Sequence, residues 1–344
     1  MLLNTDYIYP VELTGYVRDA QSEMAINKFQ LSKYLPDVMT DDISVRMLAG
    51  NTGLAEAATF RTWDTESGIV RTQPLVSVRQ DLPPISAKVR LSEYDNIRSR
   101  KVSDPKVRDQ IFNDAETVTD SISARMELAR GEVIQTGKLT MDTLAGVKTG
   151  QVIDFGRSAG NSVTAVKLWT DPTADILSDL MSWRDSYLAT NGIEPGELLG
   201  SRKVWNLMLR NQAVRNQVFP GANQPSVVTQ TLVNELLATQ GLPPFTLYQA
   251  SVRVDGVARR VLDEGGLAFL PNSQDGSNKL GATQWGPTAE SFEPGYGMVD
   301  SEDGPGIVCG VYKSEDPIAL WTKAAAVGLP MVVNPDLSFA AKVA

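Results

Sequence analysis

Residues 103–137, SDPKVRDQIFNDAETVTDSISARMELARGEVIQTG, carry an apolar or small side chain every three or four positions: Val107, Ile111, Ala115, Val118, Ile122, Met126, Ala129 and Val133. That spacing puts all eight on one side of an α-helix and leaves the opposite side charged. Both ends are encoded. Ser103 or Asp104 can accept a hydrogen bond from the first free backbone N–H groups, Pro105 suits the first turn because it has no N–H to orphan, and Gly137 can adopt the left-handed conformation that stops the helix. From Pro105 to Thr136, at 1.5 Å per residue, the rod is roughly 48 Å long, well beyond the usual three to four turns. A single narrow stripe over that length predicts a helix lying across other elements rather than through a core. A helical bundle or coiled-coil arm would need a second helix of matching length, and no other stretch supplies one.

At 344 residues the chain can bury a sizeable core, in two domains or in one large domain with excursions. Its apolar runs, such as 324–333 AAAVGLPMVV, are too short for a membrane span and contain proline. The first twenty residues lack a basic start followed by an apolar block, so no secretory signal is expected. A single cysteine, Cys309, rules out an internal disulfide, and its setting in GIVCGVY reads as a buried small hydrophobe. The net charge of −9 argues against avid nonspecific binding to nucleic acid, which depends on neutralising phosphates. An acidic or neutral wall can still surround DNA without trapping it.

Residues 1–45 mix short polar and apolar pieces around Pro10, Asn27 and Pro36, and read as an arm that needs a partner to become ordered. AATFRTWDTESGIVRTQPLVSVRQDLPPISAKVRLSEYD then reads as a long hairpin, with a turn at Glu66-Ser67-Gly68 and a break at Pro83-Pro84. Phe60, Trp63, Ile69, Leu75 and Val76 make it too apolar for a free hairpin in water, so it should lie on another surface. After the long helix, GVKTGQVIDFGRS reads as a strand pair. Asp171-Pro172 opens a helix with Ile176, Leu180, Trp183 and Tyr187 inward, closed by Asn191-Gly192; Ser201 caps a second helix; a third runs from about Ser226 to Gln240 with Val228, Leu232 and Leu236 inward. Asp255-Gly256 is the two-residue turn of a hairpin, LAFLP is a strand, and the C-terminal stretch is strand, turn, strand, turn, strand, with Asn334-Pro335-Asp336 as the last turn.

Catalytic patterns fail on chemistry. GRSAG (156–160) matches a nucleophile elbow, but that serine needs a histidine to take its proton, and the chain has none. GEVIQTGKL (131–139) has the wrong spacing for a phosphate loop and lies at a helix end instead of opening one. Cysteine and histidine spacing gives no zinc site, and the acidic run 300–303 reads as a solvated loop. No enzyme, cofactor or metal is expected. The basic cluster Arg98, Arg100, Lys101, Lys106 and Arg108 reads as meeting carboxylates of a neighbouring copy.

The long helix led by Asp-Pro and ending in GKLTM (137–141), the following VIDFGRS (152–158), the VDG hairpin leading to LAFLP, and the tail LPMVVNPDLSFAAKV resemble, in this order, the tailed-phage major capsid proteins of Hong Kong 97-like fold. More closely, they are similar to the lambda-type capsid E family, from about residue 90 onward. The resemblance implies an α+β fold: an N-terminal arm (1–45), an extended β-hairpin loop (46–92), a peripheral domain with a spine helix (93–165), an α/β axial domain (166–287), return strands of the peripheral domain (288–325) and a C-terminal strand joining the axial sheet (326–344). It implies a virion shell of pentamers and hexamers around double-stranded DNA, assembled in the bacterial cytoplasm with scaffold and portal proteins. Candidate intersubunit contacts are Phe60, Trp63, Ile69, Leu75, Val76, Arg98, Arg100, Lys101, Lys106 and Arg108. Some relatives stitch their shells through a lysine of the extended loop; no lysine occurs here between Lys33 and Lys88, so a non-covalent shell with a decoration protein is expected. An encapsulin-like compartment, which shares the fold and holds enzymes, is the alternative.

Overall fold

The computed structural model describes residues 2–27, 29–49, 57–67, 76–91, 104–141, 151–220, 225–273, 280–298, 305–316 and 318–344. Among them the chain runs β1 (Leu2–Leu3), α1 (Pro10–Asn27), β2 (Asp37–Met39), β3 (Ser44–Ala49), β4 (Val76–Asp81), β5 (Pro84–Leu91), α2 (Asp104–Thr136), β6 (Lys138–Met141), β7 (Gln151–Asp154) and β8 (Ser162–Thr164). It continues through α3 (Ile176–Asn191), β9 (Glu197–Gly200), α4 (Arg202–Arg210), α5 (Gln212–Val218), α6 (Gln230–Thr239), β10 (Phe245–Leu247), β11 (Ser251–Val254), β12 (Val257–Arg260) and β13 (Gly266–Leu270). The last strands are β14 (Gly281–Gly286), β15 (Val308–Glu315), β16 (Ile318–Val332) and β17 (Phe339–Lys342). Two compact units result, Met1–Arg46 with Arg79–Arg130 and Ala282–Met331, and Met47–Val78 with Gly131–Gly281 and Val332–Ala344.

In the first unit, a sheet ordered β1-β15-β16-β14-β2 carries β5 as a further partner of β16. β5 and β16 are antiparallel, with Arg90 opposite Trp321 and Lys88 opposite Lys323. Strand alternation turns Ile85, Ala87, Val89 and Leu91 toward one apolar core, where Ile111, Ala115, Val118, Ile122 and Met126 of α2 meet Leu13 and Val17 of α1. The stripe read from the sequence is therefore the core face of α2. Its opposite side is not uniformly solvated: Glu127 is fully buried and Arg130 nearly so. Over its last turns α2 is enclosed, not merely laid across other elements, because the first unit's own polar groups satisfy those charges.

The N-terminal segment also differs from an arm awaiting a partner. Ile8, Leu13, Val17, Leu31, Tyr34 and Leu35 are buried within this chain. Thr14 ties α1 to β15, its hydroxyl accepting from Cys309 N at 3.0 Å. Leu13 and Val17 form too short a stripe to stand out from sequence, yet they find β15 and α2 as a ready surface.

The second unit holds a sheet ordered β10-β9-β13-β17-β8. β13 is antiparallel to both β9 and β17, while β10 and β8 add in parallel at the edges. Its core stacks Trp169 on Trp183 at 5.9 Å and sets Phe269 edge-on to Phe339 at 5.7 Å. The helix α3 begins later than Asp171 suggested. Asp175 is the cap, accepting from Ser178 N at 3.2 Å, while Asp171 instead closes a local turn on Thr173. Gly192, at φ 71°, ends α3 in the left-handed conformation. α6 is rotated by one residue from the expected face: Val233 and Leu237 are fully buried, and Leu232 and Leu236 only partly. β7 pairs with β6, Leu139 opposite Ile153, while the first half of the strand pair expected in GVKTGQVIDFGRS, 146–150, lies outside the described residues. Asp255 (φ 50°) and Gly256 (φ 80°) form the expected turn between β11 and β12.

The hairpin near the N-terminus is drawn differently too. β4 pairs with β3, so the ribbon's first strand lies before residue 50 and not in 58–66. Beyond the Pro83-Pro84 break, β5 leaves the ribbon for β16. Proline at both positions removes the N–H groups that would continue one ladder.

Candidate assembly surfaces

Residues 57–67 form a turn held by its own hydrogen bonds. Arg61 donates to Thr65 O at 2.6 Å and the Thr65 hydroxyl to Thr62 O at 2.7 Å, with Asp64 at a positive φ of 62° between them. This ordering leaves two large aromatics outward: Phe60 and Trp63 have relative exposures of 107% and 95%. Burying either against another surface is worth about 1.5–3 kcal/mol or more. Of the other apolar candidates, Ile69 and Leu75 lie outside the described residues, and Val76 opens β4.

A second surface is the face of the first unit's sheet that turns away from α1 and α2. Strand alternation places Ser86, Lys88 and Arg90 on it, beside Trp321 and Lys323 of β16 and Tyr312 of β15. The Lys88 ammonium lies 4.5 Å and the Arg90 guanidinium 5.7 Å from the Trp321 ring centroid, which is cation–π geometry. Lys323 pairs with Glu290 at 2.5 Å. A groove of about 370 Å³ opens between Lys88, Tyr312, Trp321 and Lys323. Sequence reading missed this surface; the alternation of PISAKVRL with the cations at every second position is the signal that could have found it.

Arg98, Arg100 and Lys101 lie outside the described residues. Lys106 is exposed at the start of α2. Arg108 meets a carboxylate of its own chain, Glu12 of α1, and lies 5.7 Å from the Phe112 ring. Tyr16 packs edge-on against Phe112 at 4.5 Å and donates to Glu116.

The hydrolase-like GRSAG segment is a packing joint. Ser158 Oγ donates to Asp336 Oδ2 at 2.9 Å, and Ser158 N to Asp336 Oδ1 at 2.8 Å. Asn161 Nδ2 donates to the same carboxylate at 2.9 Å, and Asn191 Nδ2 to the Asp336 carbonyl at 2.9 Å. Arg157 closes the C-terminal end of α2, donating to Ile134 O at 2.8 Å and Gln135 O at 2.5 Å, where the helix dipole favours a cation. Burial pulls the Arg157 guanidinium down to about 10, against the opposing charges of Asp336 and Asp154. Among the described residues, no group of acidic, cysteine or histidine side chains could hold a metal, and no helix is long and apolar enough to cross a membrane.

The sequence model of the family described as phage major capsid protein E matches residues 83–343. The chain belongs to that family. The match begins at β5 and so takes in Lys88, Arg90 and Trp321, while the aromatic turn precedes it. The putative capsid protein of a prophage of E. coli CFT073 is 13% identical, with 98% of this chain and 99% of that one covered and a TM-score of 0.64. A phage-related protein from Bordetella bronchiseptica RB50 is 12% identical, with 96% of each chain covered and a TM-score of 0.60. At such identities the likeness is one of fold, the Hong Kong 97-like capsid fold, and it extends over nearly the whole chain. No curated protein matches the sequence.

Proposed function

We propose that this chain is the repeating wall unit of an icosahedral phage head, assembling as pentamers and hexamers around double-stranded DNA and catalysing no reaction. The family match over residues 83–343 carries the reading. Phe60 and Trp63, exposed on an ordered turn, support the way copies join, since such side chains gain most when a neighbour covers them. In this reading α2 is the spine of a peripheral domain spanning 93–165, with return strands in 288–325. The α/β part, 166–287, is the axial domain around the five-fold and six-fold axes, and 326–344 supplies a strand to its sheet. The extended loop 46–92 reaches a neighbour. Contacts of this kind are head-to-tail and close by rotation.

Partners follow from the same reading: a scaffold and a portal during assembly in the host cytoplasm, and a decoration protein on the finished head. The absence of lysine between Lys33 and Lys88 supports a shell held without covalent stitching. Nuclease-treated particles from the phage test the assignment. This chain should be their most abundant protein, and double-stranded DNA should survive inside. Particles built of this chain that hold an enzyme and no DNA would contradict it and point to a storage compartment.

A further inference from the structure

The chain's net charge of −9 repels nucleic acid on average, so a place where cations gather with few carboxylates is set apart from the rest of the surface. One such place lies in the second unit. A cavity of about 230 Å³ opens between the start of α4, the stretch joining β10 to β11, and the residues after β12. Arg202, Lys203 and Arg260 line it, and Glu264 is the one carboxylate among its lining residues.

Its frame is fixed by hydrogen bonds. The Ser201 hydroxyl donates to Glu264 O at 2.6 Å and caps α4 by accepting from Val204 N at 3.2 Å. Arg260 Nη1 donates to Gln249 O at 2.9 Å and to Ser251 Oγ at 3.1 Å, and its Nε pairs with Glu264 at 3.2 Å. Among the described residues these bonds leave Arg260 Nη2 for a ligand. Arg202 and Lys203 are exposed and, among the described residues, paired with no carboxylate. Ser251 lies opposite Arg260 and Arg253 opposite Ala258, so strand alternation puts Arg253 on the same side of the ribbon as Arg260, roughly 7 Å further along. Arg253 is exposed too, and equally without a carboxylate among the described residues.

We propose that this cavity and Arg253 bind the phosphodiester backbone of DNA, one phosphate meeting Arg202, Lys203 and Arg260 and the following ones meeting Arg253. A DNA strand carries about two phosphates over roughly 7 Å of its axis. A row of cations running out of the cavity therefore suits a repeating anion, where a single free phosphate would need the cavity alone. Phosphate contacts read no sequence, and the negative charge of the rest of the chain keeps each one weak, so DNA is touched in many places and trapped in none. The inference rests on the shell reading above and names residues of the wall that meet the enclosed DNA.

Lysine acylation of whole particles tests it. Measured against Lys167, Lys203 should react at least three-fold more slowly in DNA-filled heads than in the same heads emptied of DNA. Equal reaction in the two would overturn the site and leave the shell reading intact. Particles of this chain that hold an enzyme and no DNA would overturn both.

Titration of a short DNA duplex with the chain before assembly gives a second readout. Lys203→Ala with Arg253→Ala removes two phosphate contacts, so the slope of log K against log salt should fall by about 1.8. Lys138→Ala with Lys167→Ala removes the same charge from cations already paired with Asp154 and Asp171, and should leave the slope unchanged. An unchanged slope in the first variant, or an equal fall in the second, would overturn the proposal. So would inorganic phosphate bound as tightly as the duplex, which would mark a site for the free anion.

Discussion

Arg130 of α2 donates to the Asp37 carboxylate of β2, joining the long helix to the segment that follows α1. The same guanidinium reaches Thr283 Oγ1 at 2.9 Å and Glu127 at 3.4 Å, and Glu127 in turn accepts from Leu31 N at 3.0 Å. Trp285 Nε1 closes the group on Asp37 at 2.6 Å. Three stretches distant in sequence are thus held by one ionic network, buried at Glu127 and Arg130 and open to solvent at Asp37. Arg130→Met should destabilise the unassembled chain by about 3–5 kcal/mol, because Glu127 is left buried without its counter-charge. Urea denaturation measures it. Breaking the exposed Glu12–Arg108 pair with Glu12→Gln should cost less than about 1 kcal/mol in the same assay.

Gly131 lies inside α2, where alanine ordinarily stabilises a helix by about 1 kcal/mol. Here a Cβ would sit 2.5 Å from the Val261 carbonyl oxygen and 2.6 Å from its Cγ1. Backbone cannot yield as a flexible side chain does, so Gly131→Ala should lower the urea midpoint despite the gain in propensity. A raised midpoint would show that Val261 moves aside freely.

Asp336 holds the turn 334–336 to the GRSAG segment. Asp336→Ala takes the acceptor from Ser158 N and Ser158 Oγ and leaves Asn161 Nδ2 only the Asp336 carbonyl at 3.3 Å, and should cost about 3 kcal/mol, against about 1 kcal/mol for Ser158→Ala, which loses one hydroxyl bond. The ordering of the two midpoints checks the joint. Neither chain should differ from wild type in ester hydrolysis, which should be at background for all three.

Burial raises the Cys309 thiol to about 11, from the ordinary thiol value of 9.0. Between these values the folded chain keeps a proton that the unfolded chain releases. Stability from this group is therefore fully present below pH 9 and is lost as pH rises toward 11, at up to about 1.4 kcal/mol per pH unit. Cys309→Ala should lose stability less steeply than wild type over that window. Parallel curves would mean that the thiol titrates normally.

The long helix was legible because both its stop signals and its stripe are local. Pro105 and Gly137 sit in the sequence next to what they do, and Gly137 takes the left-handed conformation at φ 68°. The burial of Glu127 and Arg130 on the charged side of the helix was not legible, since the partners Asp37 and Thr283 lie 93 and 153 positions from Arg130. Local periodicity carries no trace of such pairing. The same limit hid the Trp321 face. Lys88, Arg90 and Trp321 come together only through the register of β5 on β16. Phe60 and Trp63, by contrast, stood out as apolar residues of the expected hairpin, and both are exposed, on a turn closed by its own hydrogen bonds.

Mature particles boiled in detergent should run as a single monomer band, since no lysine occurs between Lys33 and Lys88 to form a cross-link. A covalent ladder of this chain would show a stitch from elsewhere in the sequence.

Electron microscopy of the chain, expressed alone and with its phage partners, tests the central claim most directly. The account predicts closed shells, or rings of five and six copies. A well-behaved monomer that never assembles, even with those partners, would contradict it.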